Sequence, residues 1–534
     1  MIKKNKKESF MKGIVVLIVA QVLIKVIGFA YKIYITNREG FGDKGNAIYN
    51  AGFSIYALLL TISSVGVPNA VAKLVSEKLS RGEYEQVDRI FKVALVTFAV
   101  IGCIGSMILF FGAEYIANIW LKIPEAELTL VALSPSIFFV SIICVIRGYF
   151  NGMQQLTPTA NSQIIEQLFK TVLTIIFVEF VAIISGVNTE VMAAGANLAT
   201  TFATIVGLIY LLNYYKKNKN YYSVMRIERK LQKKSVWAII KEILFVSIPI
   251  SLSSVLSSIN GNIDAITVKR NLMKFLTEEV AQKQYGILSG KVTTLITLPL
   301  SFNIAFATAL VPAISAAKAG GQIDLIKKRV SFSILASIII GLPCVVGMIS
   351  YGDSILKLLF PNQSQGAMIL QISSIGIIFM VLEQTINGVL QGLGKLFIPA
   401  IALGTGVIVK LILNLILIPI EEIGILGASI GTVGCHFISF LIGFNSLKKN
   451  IEINFKFSKF ILKPVIATAV MLILSNLLYI YLQCIINPKM SIILVLIFAI
   501  MVYIITLFIL KTFSKEEIFM LPYGCKIYHK VKRG

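Results

Sequence analysis

The sequence is short of charged residues, and this shortage excludes most soluble proteins. Only 14% of its 534 residues are charged, whereas 56% are hydrophobic, and the mean hydropathy is +0.83. In soluble globular domains about 25% of the residues are charged. We therefore predict an all-α polytopic membrane protein.

The chain also lacks the residues and motifs of most catalytic and metal sites. It has only two histidines, and its six cysteines show no paired spacing, so neither a zinc site nor a disulfide framework is indicated. A nucleotide-binding loop and a nucleophile elbow are absent as well. We therefore predict that the protein is not an enzyme and holds no metal or cofactor. Transport would be driven by ion gradients, membrane potential or substrate supply, and coupling to a monovalent ion stays open.

Fourteen apolar runs are long enough to cross about 30 Å of hydrocarbon, which takes roughly 20 helical residues each. The first run follows a basic start, as in a signal peptide, but it continues past Lys25 to Ile35, so we predict a retained helix. No gap between the runs is large enough for a soluble domain. The runs lie near residues 13–36, 47–70, 92–113, 128–150, 160–186, 191–213, 236–260, 285–312, 331–351, 367–392, 398–420, 426–447, 461–484 and 488–511.

The basic residues indicate the orientation of these runs. Lysine and arginine total 50 against 26 acids, and with the N terminus in the cytoplasm most of them fall in inner loops. This is the positive-inside pattern, and it predicts that both termini are cytoplasmic. The densest inner segment, residues 216–241, could mimic a nucleic-acid patch, but contact with anionic lipid explains it, so we predict no nucleic-acid partner.

An internal repeat divides the chain. Residues 148–170 and 388–410 each begin with two glycines four residues apart, and each ends with a lysine, Lys170 or Lys410. The motif GANLAT at residues 195–200 likewise matches GASIGT further along. We interpret the glycine pairs as positions of close helix packing and as markers of the repeat.

The repeat predicts three parts. Residues 1–225 form an N-terminal lobe of six helices, residues 226–450 form a C-terminal lobe of six helices, and residues 451–534 carry two further helices and a cytoplasmic tail. Because each lobe has an even number of spans, the two repeats are parallel. Transporters built in this way bind substrate near the midplane between the repeats.

Lysines inside the predicted spans are the strongest functional signal. Each costs about 2.5 to 3.5 kcal/mol at the centre of a membrane helix unless it faces water or an anion. Lys25 and Lys32 are seven residues apart and therefore share one face of the first helix. We predict a wet cationic cavity, with snorkelling to the interface as the alternative for Lys32 and Lys291. The predicted cationic lining consists of Lys25, Lys32, Arg147, Lys170, Lys291 and Lys410.

Acids in the spans are fewer, so the balance favours an anionic ligand, although internal ion pairing could neutralise the lysines. An exporter of drugs or cations would need carboxylates in excess. We interpret His436 as a helix-packing residue, with a proton relay as the alternative. The acids in or beside the spans are Glu166, Glu179, Asp264 and Glu383, and we predict that Glu166, Asp264 and Glu383 orient the lysines or respond to ions.

The stretch RGYFNGMQQLTPTANSQIIEQLFK, residues 147–170, resembles the polysaccharide-transport branch of the multidrug/oligosaccharidyl-lipid/polysaccharide (MOP) flippase superfamily. More narrowly, it is similar to the family of MurJ-type lipid II flippases and stage V sporulation protein B. KVIGFAYKIYIT at residues 25–36 and KLILN at residues 410–414 are also typical of this family. The resemblance covers essentially the full chain.

The resemblance implies a MATE-like fold with about fourteen transmembrane helices, a central cationic cavity and a hydrophobic groove at the last two helices. It also implies a lipid-linked substrate with an anionic pyrophosphate, moved across the bacterial cytoplasmic membrane by alternating access. Family members often carry arginines where this chain has Lys25 and Lys32. Some relatives use a cation site in the second lobe, which would correspond here to Asp264, Asn414 and Thr432, although Ile418 supplies no further carboxylate.

We therefore predict a flippase for the peptidoglycan precursor lipid II, acting in growth or in spore cortex synthesis. Membrane lipid and cell-wall synthesis proteins are the expected partners. Three alternatives remain: a flippase for another lipid-linked glycan such as teichoic acid or capsule units, an ion-coupled multidrug exporter of the same fold, and a non-transporting scaffold.

Overall fold

The computed structural model describes residues 10–62, 66–80, 82–184, 186–223, 235–451 and 456–513. These residues form helices and turns without a strand, which confirms the all-α prediction. Short π-helical segments lie at Ile116–Leu121, Ile287–Val292 and Ser458–Leu462. The α-helices are α1 (Phe10–Asn37), α2 (Gly42–Leu60), α3 (Val67–Ser80), α4 (Tyr84–Phe111), α5 (Ala113–Tyr115), α6 (Glu127–Gly152), α7 (Thr157–Ile184), α8 (Thr189–Ser223), α9 (Val236–Leu272), α10 (Glu278–Gly286), α11 (Thr293–Ala319), α12 (Ile323–Leu359), α13 (Ala367–Gly392), α14 (Phe397–Leu417), α15 (Leu426–Asn450), α16 (Lys463–Gln483) and α17 (Pro488–Ile509).

Within the described residues, ten helices are long and apolar enough to cross a membrane: α4, α6, α7, α8 and α12 to α17. The protein is therefore a multi-pass membrane protein. The other four predicted spans coincide with α1, with α2 and α3, with α9, and with α10 and α11. Of the predicted span over residues 47–70, α2 covers the part up to Leu60 and α3 the part from Val67, and residues 63–65 lie outside the described residues.

Local sequence explains where several helices begin. The Ser235 hydroxyl accepts a hydrogen bond from the Ala238 amide at 3.1 Å and caps α9. The Asn487 side chain caps α17 by accepting from the Lys489 amide at 3.0 Å, and Pro488 occupies the first helical position, where its missing N–H is not needed. Between α1 and α2, Gly40 has a φ of 79°, which favours glycine.

The chain forms two compact units. The first unit comprises Met1–Thr294 and Val407–Gly431, and the second comprises Leu295–Gly406 and Thr432–Gly534. In the first unit, apolar side chains of α3, α4 and α6, such as Val71, Phe98 and Phe150, form one buried cluster. In the second unit, α16 and α17 pack on each other and on α12 through buried residues that include Met471 and Tyr503. The division into two six-helix lobes and a C-terminal pair stays a prediction.

The two glycine pairs make the same kind of contact, each inside its own unit. A Cβ atom at Gly148 on α6 would lie 2.8 Å from the Pro68 carbonyl oxygen on α3. A Cβ atom at Gly388 on α13 would lie 2.7 Å from the Ala307 carbonyl oxygen on α11. Both positions therefore require glycine for close helix approach, as the sequence repeat predicts.

We expect Gly148→Ala to lower the free energy of unfolding by about 1–3 kcal/mol, because the added methyl group overpacks the contact between α6 and α3. Gly347→Ala is the matched control, since Gly347 is also helical and no atom lies within 4 Å of a Cβ built there. Thermal unfolding in detergent measures both variants. Equal melting temperatures would contradict the packing role of Gly148.

Candidate functional site

Lys32 on α1 lies against aromatic residues of α2. Its side chain is buried, and Nζ lies 4.5 Å from the centroid of the Tyr49 ring. Nζ also donates a hydrogen bond to Asn50 Oδ1 at 3.3 Å. An ammonium over an aromatic face is stabilised by the ring quadrupole, so Lys32 has aromatic and amide partners that do not cancel its charge.

Lys170 on α7 lies beside the same aromatic surface. Its Nζ is 4.6 Å from the Phe53 ring centroid and 5.9 Å from that of Tyr31. Tyr31 and Tyr49 share a hydrogen bond between their hydroxyls at 3.3 Å, and the rings of Tyr49 and Phe53 are stacked with centroids 6.0 Å apart. We call Tyr31, Lys32, Tyr49, Phe53 and Lys170 the lysine–aromatic cluster.

Lys25 lies two helical turns before Lys32 on α1, and its side chain is exposed. Among the described residues, neither Lys25 nor the two lysines of the lysine–aromatic cluster has a carboxylate within 4 Å. Within the described part of the first unit, three basic side chains therefore lack an acidic partner.

The remaining predicted basic residues each have a carboxylate partner in the first unit. Arg147 Nη2 lies 2.8 Å from Glu166 Oε1, and Arg147 Nε donates to the Ser162 hydroxyl at 2.9 Å. Gly207 on α8 leaves the space that Glu166 occupies, because a Cβ atom there would collide with the carboxylate. Glu166 and Arg147 therefore form an ion pair, while the coupling role of Glu166 stays a prediction.

Lys291 is fully buried and lies 2.9 Å from Asp43 Oδ2. The π-helical segment Ile287–Val292 carries Lys291, and α2 carries Asp43 in its first turn. Gly286 and Gly290 allow this segment to approach α2, since Cβ atoms there would lie against Asp43 and Asn46. Lys291 thus ends in a buried ion pair and does not snorkel in this structure.

Lys410 is also buried, and its Nζ lies 2.7 Å from Asp264 Oδ2 and 3.0 Å from the Asn260 carbonyl oxygen. Asn414 Nδ2 donates to Asp264 Oδ1 at 3.0 Å. The structure therefore joins Asp264 and Asn414 of the predicted cation site and adds Lys410 as a positive charge beside them. Thr432 belongs to the second unit, and a cation site of Asp264, Asn414 and Thr432 stays a prediction.

The two lysines at equivalent positions of the repeat thus have different surroundings. Lys410 faces a carboxylate, whereas Lys170 faces aromatic rings. Glu179, the remaining predicted acid of the first unit, lies 2.7 Å from Arg38 Nε and accepts a hydrogen bond from Tyr34. Internal pairing therefore neutralises part of the predicted cationic lining and leaves Lys25, Lys32 and Lys170.

Glu383 lies in the second unit, in contact with residues other than lysine. Its Oε2 is 2.7 Å from His436 Nδ1, and its Oε1 accepts a hydrogen bond from the Ser439 hydroxyl at 2.6 Å. The interpretation of His436 as a packing residue missed this contact. The sequence held one signal for it, since Glu383 and His436 both lie in predicted spans otherwise poor in titratable residues.

Sequence reasoning also missed the aromatic residues and Asp43. Tyr49, Phe53 and Tyr56 recur at helical spacing on α2, a pattern that is usual in any apolar helix. Asp43 lies before the predicted second span and resembled a loop residue. Their roles depend on which helices pack together, and the residues next to them in the sequence do not indicate this.

Comparison with known families gives two matches. The profile of the family described as polysaccharide biosynthesis protein matches residues 10–318, which is more than half of the chain. The MatE profile matches residues 249–416.

Two relatives from Bacillus subtilis (strain 168) match over most of their length. Stage V sporulation protein B is 26% identical over 463 residues, covering 85% of this chain and 87% of the relative. Lipid II flippase MurJ is 25% identical over 485 residues, covering 88% of this chain and 87% of the relative.

Solved structures agree on the fold. Lipid II flippase MurJ in an inward closed conformation aligns with a TM-score of 0.69 at 16% identity, covering 92% of this chain and 98% of that chain. An inward-facing multidrug resistance MATE family transporter of the MOP superfamily aligns with a TM-score of 0.65 at 14% identity, covering 81% and 98%. The predicted MOP fold is confirmed.

The buried pair of Lys291 and Asp43 gives a test of these contacts. We expect Lys291→Met to lower the free energy of unfolding by about 3–5 kcal/mol, because it leaves a buried carboxylate without its counter-ion. Adding Asp43→Asn should restore most of the loss. Lys357→Met is the control, since Lys357 forms an exposed pair with Asp353 and its removal should not change the melting temperature measurably. An equal loss in the single and double variants would contradict the pairing.

Proposed function

The chain belongs to the polysaccharide biosynthesis protein family, and from this membership we propose that it is a flippase for an undecaprenyl-pyrophosphate-linked glycan. The substrate that we propose is the peptidoglycan precursor lipid II, moved from the inner to the outer leaflet of the cytoplasmic membrane by alternating access. The protein acts as a transporter and not as an enzyme. Both termini lie in the cytoplasm in this proposal.

One observation carries the proposal: Lys25, Lys32 and Lys170 have no acidic partner among the described residues, although the first unit contains acids that pair with other basic groups. A positive charge in a membrane span is costly unless an anion or water compensates it. A pyrophosphate is a dense anion that ammonium groups can hold as point charges. The charge that the three lysines leave unbalanced therefore fits the head of a lipid-linked pyrophosphate.

The last two helices suit the other end of such a substrate. α16 and α17 leave large apolar side chains exposed along their length, among them Ile473, Leu477, Ile480, Ile497 and Ile504. Exposed apolar surface of this kind is stable only against lipid tails or a similar chain. We propose that the polyprenyl tail stays in the lipid beside α16 and α17 while the headgroup crosses.

Two alternatives differ in what they require. A flippase for teichoic acid or capsule units would use the same lysines and the same tail surface, so substrate tests must distinguish it. A multidrug exporter for cations would need carboxylates without basic partners, whereas Glu166, Glu179 and Asp264 are each paired with a basic group.

We expect Lys32→Met and Lys170→Met each to reduce transport at least tenfold, because each removes one charge-assisted contact worth about 1.5–3 kcal/mol. The measurement is the transbilayer movement of fluorescent lipid II in vesicles that contain the purified protein. Lys357→Met is the matched control, since Lys357 pairs with Asp353 at the end of α12. Thermal unfolding shows whether the variants remain folded. Full transport in both folded variants would contradict the role of the lysine–aromatic cluster.

A depletion experiment tests the substrate in cells. In a host depleted of its essential lipid II flippase, we expect this chain to restore growth and lipid II on the outer leaflet. Lys25→Ala should fail, whereas Lys25→Arg should retain part of the activity because it keeps the positive charge. Normal membrane insertion without rescue would contradict lipid II as the substrate and favour another lipid-linked glycan.

A further inference from the structure

The second unit contains one carboxylate within its predicted membrane spans. In the part of this unit that the structure describes, the only acids are Asp324 and Asp353, which lie near the two ends of α12, and Glu383, which lies inside α13. Glu383 is 6% exposed. A buried carboxylate in a membrane span is costly and marks a functional site by default.

The partner of Glu383 is one of the two histidines of the chain. His436 Nδ1 lies 2.7 Å from Glu383 Oε2, and the Ser439 hydroxyl donates to Glu383 Oε1 at 2.6 Å. Both carboxylate oxygens therefore have a hydrogen-bond partner on α15.

In the described contacts, the helices beside this pair present neutral groups near its level. Asn303 on α11 and Ser337 on α12 each form a hydrogen bond with Thr385 on α13, two residues after Glu383. On α14, Gly406 lies against Cys435 on α15. All of these groups are neutral. Basic groups on α11, α12 and α15 contact other places: Lys318 donates to the Leu393 carbonyl, Arg329 donates to the Ala313 carbonyl, and Lys448 lies over Phe444. Leu393 is ten residues beyond Glu383, or about 15 Å along a helix. Within the described second unit, His436 is therefore the group that can balance the charge of Glu383.

The two ring nitrogens of His436 have different surroundings. Nδ1 is bound to Glu383, and the described residues offer no hydrogen-bond partner to Nε2. The side chain is 15% exposed, so it is not sealed within the protein. With Nδ1 donating to the carboxylate, the pair carries one negative charge, and a proton added to the lone pair of Nε2 makes it neutral.

We propose that Glu383 and His436 form a proton-binding site, in which His436 Nε2 takes up one proton and later releases it on the other side of the membrane. The proton comes from hydronium, so one O–H bond breaks as the N–H bond forms, and release to water reverses this exchange. Because the proton changes the net charge of a buried pair between α13 and α15, it changes the relative stability of conformations that bury the pair to different degrees. The coupling of this proton to transport rests on the proposed function. The existence of the proton-binding site does not depend on it.

The geometry favours a proton over a metal ion. Within the residues that the structure describes, no group of three or more His, Cys, Asp and Glu side chains could hold a metal. One imidazole and one carboxylate, with a hydroxyl that already donates to the carboxylate, offer too few free ligands for such an ion. Histidine is also the side chain that titrates between about pH 5 and 8.

Infrared spectroscopy of the purified protein tests the site without any substrate. His529→Gln leaves His436 as the only imidazole of the chain. On this background we expect one imidazolium per chain to form as the pH falls from about 8 to 5, while the Glu383 carboxylate stays ionised. Glu383→Gln should reduce the imidazolium signal at a given pH, and His436→Gln should remove it. An absent signal, or a signal unchanged by Glu383→Gln, would overturn the proposal.

Transport of fluorescent lipid II under an imposed proton gradient tests the coupling. We expect the gradient to change the rate several-fold in the wild type and in the control His529→Gln. In Glu383→Gln and His436→Gln, the rate should no longer depend on the gradient. An unaltered dependence in both variants would overturn the coupling. If the wild type protonates His436 but moves no lipid II, the result supports the proton site and contradicts the proposed substrate.

Discussion

The positive charge of a lysine inside a membrane determines most of what is specific to this protein. Hydrocarbon offers an ammonium no water, so each lysine needs a carboxylate, a backbone carbonyl, an aromatic face or a bound anion. Lys291 and Lys410 have carboxylates, and Lys32 and Lys170 have aromatic faces. A carboxylate cancels the charge, whereas a ring stabilises the ammonium and leaves its charge available to a ligand. The kind of partner therefore separates lysines that hold helices together from lysines that can bind an anion.

This distinction breaks the symmetry of the sequence repeat. Lys170 and Lys410 occupy equivalent positions, and the glycines before them make equivalent backbone contacts in the two units. Yet Lys410 lies against the Asp264 carboxylate on α9, while Lys170 lies against the rings of Tyr31 and Phe53. Two copies of one helical arrangement thus serve different electrostatic purposes. In the second unit, the titratable pair inside the predicted spans is Glu383 with His436, whereas the first unit has lysines there.

The sequence predicts the parts of the fold that depend on periodicity and length. The apolar runs predict where the membrane helices lie, and the glycine pairs predict close helix contacts, since both signals are local. The pairing of Lys291 with Asp43 could not be predicted, since these residues are 248 positions apart and meet only through packing. The structure places Asp264 against Lys410 and joins Glu383 to His436, and the predicted coupling roles of these acids stay predictions.

The π-helical segment Ile287–Val292 makes the position of Lys291 sensitive to chain length. A π turn holds one residue more than the α-helical turn it replaces, and it commonly arises from a single-residue insertion in a helix. Each residue of an α-helix advances the chain by about 100° around the axis. Deleting one residue here would restore a regular helix. The residues after the deletion would then be rotated about the helix axis by about that angle relative to the residues before it. Lys291 and the side chains of α11 could therefore not both keep their present neighbours. The extra residue of this turn therefore determines whether the Lys291 ammonium meets the Asp43 carboxylate.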